Sequence, residues 1–181
     1  MRDSGLEEFT DLQIEFKNLE PFRKKEVYDF RQETIMAGHF AEIPMTRFYL
    51  RLGVKNVGTR IAKGCKGRLV RFGEVSDVSS KMKFQPVLLN WADSDSSSVE
   101  IGESEIKYLD LIYSDSERPN LLQVESGKGD PESNLKNLPR CDYSLEVLVT
   151  GENVKPKLKS FHLKILEDGY DRIELEELSG S

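Results

Sequence analysis

Apolar and polar residues alternate most regularly over 48–58, where Phe48, Leu50, Leu52 and Val54 fall on one face and Tyr49, Arg51 and Lys55 on the other. A period of two is that of a half-buried strand, so the segment predicts the spine of an antiparallel sheet. Shorter versions of the pattern mark Leu12, Ile14 and Phe16, then Val87, Leu89 and Trp91, then Tyr143 to Val149, and finally Phe161, Leu163 and Ile165. Residues 106–113 are apolar on both faces, as a central strand is, and Trp91 is expected in the core. Leu121, Leu122 and Val124 form a short strand, and Ile173 with Leu175 an edge strand or short helix. Ala62, Cys65, Gly67 and Leu69 sit among lysines and arginines, a strand with a basic outer face and a bulge near Gly64. Gly64 and Gly67 predict close approach of a neighbouring backbone.

Turn residues punctuate these segments. Residues 56–59 close the spine, with Gly58 expected at positive φ, and the Asp- and Ser-rich 92–98 make a polar turn. Residues 151–156 are expected to join the last two long strands. Eight or nine short strands separated by turns predict an all-β fold, an antiparallel β-sandwich with long loops and little helix. One stretch resists the pattern. Between residues 18 and 44, Val27, Phe30 and Thr34 have helical spacing, but Pro21, Gly38 and Pro44 interrupt it. The prediction is a long connection with at most a short helix. Connections of that length are often functional, so 18–47 is the first place to look for a site. Residues 1–11 read as a flexible acidic lead-in, and 12–178 as one sandwich domain.

Composition narrows the classes. At 181 residues, 38% apolar and 32% charged, the chain suits one soluble globular domain. A net charge of -6 and pI near 5.1 argue against nonspecific nucleic-acid binding, which draws its affinity from a positive surface. No apolar run approaches the roughly 20 residues of a membrane span, and residues 1–8 lack the pattern of a signal peptide. The expected setting is cytoplasmic, or a soluble domain of a larger membrane-tethered protein. Cys65, Trp91 and Cys141 repeat the Cys-Trp-Cys order of immunoglobulin domains, but Trp91 lies 26 residues after Cys65 and the tyrosine follows the second cysteine. Two reduced thiols are expected in preference to a bridge.

Segment 48–58, followed by Ala62 and Cys65, resembles the strand, Asn-x-Gly turn, strand unit of the prokaryotic cell-adhesion-related domain, an immunoglobulin-like sandwich. Residues 101–104 with 106–112 look like its second turn and strand, so the resemblance covers roughly 48–114; segments 18–47 and 125–140 exceed that pattern. It implies an interaction or accessory module, often attached to a larger protein, with no catalytic residue to carry over.

Candidate chemistry is sparse. His39 and His162 are the only histidines; His162 is expected on the outer face of a strand, and His39 lies in the unexplained connection with no serine elbow anywhere. The glycine-rich 58–67 fails as a phosphate loop, because Lys63 stands where glycine is needed and a strand follows. Asp93, Asp95 and Ser97 have the spacing of a calcium loop, but Ser98 and Ser104 occupy the positions of its glycine and bidentate glutamate. A looser metal site would use Asp93, Asp95 and Glu100. Arg60, Lys63, Lys66, Arg68 and Arg71 form the strongest local charge, a surface for an acidic or phosphate-bearing partner or else a solvated edge whose lysines block strand pairing. The reading is a noncatalytic binding module for a protein partner, with no cofactor and no nucleic acid, His39 and the basic run being its candidate residues. The alternative is a carbohydrate- or calcium-binding sandwich using loops 92–100 and 125–139.

Overall fold

A computed structural model describes residues 9–76, 85–126, 135, 137–167 and 169–178. Among them there is no helix, and none therefore that could cross a membrane. The strands are β1 (Leu12–Glu15), β2 (Arg23–Met36), β3 (His39–Asn56), β4 (Ala62–Glu74), β5 (Val87–Leu88), β6 (Asn90–Trp91), β7 (Val99–Ile101), β8 (Ile106–Asp115), β9 (Arg118–Val124), β10 (Leu138–Pro139), β11 (Tyr143–Gly151), β12 (Val154–Ile165) and β13 (Ile173–Glu177). They form two antiparallel sheets packed as a β-sandwich. In the first the order is β1-β3-β8-β9-β10, with β2 also on β3 and β6 on β8; in the second it is β13-β12-β11-β4-β5, with β7 also on β4.

The core follows from the alternation. Leu50, Leu52 and Val54 of β3 are fully buried and share the interior with Leu145, Val147 and Val149 of β11 and with Phe161 and Leu163 of β12. Trp91 fills the middle, 2% exposed. Its indole N–H donates to the Cys65 carbonyl at 3.1 Å, so one hydrogen bond ties β6 of the first sheet to β4 of the second. Cys65 and Cys141 are free thiols, and burial, with Glu100 adding, pushes the Cys65 thiol up to about 11.

Several expectations are corrected. The connection over 18–47 is no connection: β2 and the first half of β3 form one long antiparallel hairpin that turns at residues 37–38. Gly38, at φ +83°, takes the conformation that a type II turn asks of its third residue. Gly58 is not at positive φ; it is glycine because a Cβ there would lie 2.1 Å from Thr10 Oγ1. The last long hairpin turns at residues 152–153, and Val154 to Pro156 already belong to β12. Ile173 and Leu175 form an edge strand. Thr10, expected in the lead-in, is buried and bridges Val154, so it belongs to the sandwich; residues 1–8 lie outside the described residues. Most of the polar loop 125–139 lies outside the described residues.

Candidate interaction arm and its root

Beyond the sandwich, β2 and β3 continue alone. The β3–β8 pairing stops at Arg47 and Asp115, and one further pair of hydrogen bonds holds the end: Ser116 N–H donates to the Thr46 carbonyl at 2.9 Å, and Thr46 N–H to Ser116 Oγ at 2.9 Å. From there to the turn the hairpin is a two-stranded ribbon. Paired residues share a face, so Phe30 with Pro44, Gln32 with Glu42 and Thr34 with Phe40 lie on the side that continues the core face. Asp29 with Met45, Arg31 with Ile43 and Glu33 with Ala41 lie on the other. The core-continuing face is open, with Val27, Phe30 and Phe40 exposed, as are Ile35 and Met36 near the tip, Met36 to 72%, while Ala41, Ile43 and Met45 on the other face are half-buried. Five large apolar side chains on one ribbon exceed the scattered single exposures of an ordinary surface.

The root of this arm is gripped from both faces. On the core side, Lys25 meets Asp171 at 2.6 Å and lies over the Tyr170 ring, while the Tyr170 hydroxyl hydrogen-bonds Thr46 Oγ1 at 2.7 Å. The turn between β12 and β13 thus holds the arm from the second sheet. On the outer side, the Arg47 guanidinium lies between the Tyr28 and Tyr113 rings, 4.5 and 4.8 Å from their centroids. Tyr28 Oη donates to Asp115 at 2.9 Å, and Arg31 reaches Glu117 at 3.2 Å. Loss of water at Tyr28, with Asp115 as its acceptor, pushes that hydroxyl up to about 12, so it remains a donor at neutral pH.

Behind the root, the polar face of β3 is not solvated. Tyr49 and Arg51 are only 9% and 4% exposed. The Arg51 guanidinium spans Asp110 at 2.5 Å on β8 and Glu26 at 3.0 Å on β2, and lies over the Tyr49 ring. A buried guanidinium with two carboxylates and a ring face has its charge matched where it sits.

The candidate residues read from sequence fall apart spatially. His39 is exposed at the arm tip, opposite Met36, with neither of two shallow cavities beside it. Lys66, Arg68 and Arg71 lie on the outer face of the second sheet, where Arg68 donates to Thr150 and Arg71 pairs with Glu146, each at 3.3 Å. Lys63 is exposed at the start of the same strand, and the Arg60 carbonyl is taken up by Thr10 and Asn56. Asp93 and Asp95 line a cavity of about 390 Å³ with Asn90, Trp91, Ser94 and Asp110. Glu100 goes elsewhere, since β7 pairs with β4. Among the described residues no three His, Cys, Asp or Glu side chains are placed to hold a metal ion. Trp91 turns its ring into the core, as expected, and most of loop 125–139 lies outside the described residues. What sequence reasoning missed is the arm's apolar set, whose signal was five large apolar residues within a highly charged segment.

No protein-family model, curated protein or solved structure matches this chain.

Proposed function

We propose that this chain is a noncatalytic protein-interaction β-sandwich, of the accessory kind that a resemblance to adhesion-related domains implies, and that its partner docks on the β2–β3 arm. The observation that supports the reading is a ribbon with five large exposed apolar side chains, whose root is held by both sheets. An arm held so firmly is preorganised, and a preorganised strand loses little entropy on docking. Extended ribbons recognise protein by adding a strand to their open edge while side chains fill pockets on either side.

The test is position-specific photocrosslinking with benzoylphenylalanine. At position 40 on the arm it is expected to give one discrete protein adduct, abolished by changing Phe30 and Met36 to Ser. At Leu158, also exposed but on the outer face of the second sheet, it is expected to give none. Equal labelling at both positions, or no adduct from position 40, overturns the reading.

A further inference from the structure

We infer that the partner of the arm is a second copy of this chain, joined to the first edge to edge through β2, antiparallel, with the twofold axis between Tyr28 and Asp29. The inference rests on the reading of the arm as an interaction element and names its occupant. Among the described residues β2 is paired with β3 only, so one edge of a 14-residue strand is open. An open strand edge is a template for another strand, and in a symmetric pair the same edge serves both molecules.

The strand itself selects the register. A twofold axis perpendicular to the sheet brings outer face against outer face. Up to Val27 the outward positions of β2 are even-numbered, Lys24 and Glu26, opposite Tyr49 and Arg47. A bulge at Tyr28 shifts the alternation by one, and from there the outward positions are odd-numbered, Asp29, Arg31 and Glu33, opposite Met45, Ile43 and Ala41. Matching faces therefore requires an even position before the bulge to meet an odd one after it. With the axis between Tyr28 and Asp29, Lys24 faces Glu33 and Glu26 faces Arg31 on the outer side, and Val27 faces Phe30 on the inner side. Each pair occurs twice by symmetry.

The neighbouring face-matched registers are repulsive. Sliding the partner by two residues one way sets Lys24 against Arg31 and Glu26 against Asp29, and the other way sets Glu26 against Glu33. Like charges directly opposite are destabilising and opposite charges favourable, so the charges choose the one arrangement. Within each copy Lys24 already pairs with Glu26 at 3.4 Å and Arg31 with Glu33 at 2.6 Å. The chosen register closes these into two squares of alternating charge. It also carries the exposed Ile35 and Met36 to the partner's turn ahead of β2, where Leu19 is 56% exposed.

Sedimentation of the full chain from micromolar to submillimolar concentration tests the pairing, with Lys24→Glu and Glu33→Lys as variants. These two residues lie far apart along β2, so no single copy can bring them together. The expected result is a dimer for the wild type and a dissociation constant raised about tenfold in each single variant. An equimolar mixture of the two single variants, and the double variant K24E/E33K, should both return to wild-type affinity. A wild type that stays monomeric throughout overturns the inference and shows the bulge and lysines to be edge protection; the arm reading then stands or falls on the position-40 probe. A dimer indifferent to both single reversals, or one not restored in the mixture, overturns the register.

Discussion

Arg51 Nε and Asp110 Oδ1 approach to 2.5 Å on facing positions of β3 and β8, yet the Asp110 carboxyl is pushed up to about 6. Burial is the largest cause; the Arg51 charge and hydrogen bond pull the other way, and Glu125 and Glu26 add repulsion. In the unfolded chain an aspartate ionises near 3.8. Between these values the folded state holds more protons than the unfolded one, so stability falls as pH rises through that window. The difference corresponds to about 3 kcal/mol. Urea unfolding of wild type and Asp110→Asn from pH 4 to 7 should show the variant gaining about that much relative to wild type. Parallel stability profiles would remove the assignment.

Asn56 organises the opposite end of the sandwich. Its side chain is fully buried, donates to the Arg60 carbonyl at 2.6 Å and the Ile101 carbonyl at 2.9 Å, and accepts from Thr10 Oγ1 and Gly58 N–H at 3.1 and 3.0 Å. Asn56→Ala leaves several of these partners buried without a hydrogen bond, and the expected loss is about 3 kcal/mol by chemical denaturation. Thr10→Val, which removes one of the four, should cost about 1 kcal/mol. Equal losses in the two variants would contradict the network.

Gly67 of β4 and Leu109 of β8 set the spacing of the two sheets. A Cβ on Gly67 would come within 2.4 Å of Leu109 Cδ1. Gly67→Ala is therefore expected to cost about 1–3 kcal/mol by overpacking, and Leu109→Ala about 2–5 kcal/mol by leaving a void. The double variant should lose less than the sum, since the new methyl enters the space the leucine left. Strict additivity would show that the two positions do not touch.

Arm side chains should behave in the opposite way. Met36→Ser and Phe40→Ser remove exposed groups, so the intrinsic unfolding free energy should change by no more than about 0.5 kcal/mol when measured well below the concentration of any association. A loss of about 2 kcal/mol or more in either would place that residue in a folded core and not on an interaction surface.

Where one face of a strand is buried, the sequence carried the fold in plain view. Phe48, Leu50, Leu52 and Val54 alternate because one side of β3 meets the core, and the strands at 87–91, 106–113 and 143–165 follow for the same reason. The arm was illegible on that logic. Alternation records the difference between two faces, and over residues 29–45 both faces are outside the core, so nothing in the pattern distinguishes them. Gly38 and Pro44 then look like breaks, when one is the hairpin turn and the other sits on a ribbon with few neighbours. The burial of Arg51 was hidden differently. Its partners Glu26 and Asp110 are 25 and 59 positions away, and only the sheet order brings them together.

A ribbon that supports nothing beneath it can be rewritten. Its side chains contribute hardly at all to the fold below, so this is where sequence changes can accumulate without loss of the native state. Held at its root by Tyr28, Arg47, Tyr170 and Asp171, the hairpin is a natural graft point: a foreign recognition sequence placed between residues 30 and 43 would inherit a fixed direction and an intact sandwich.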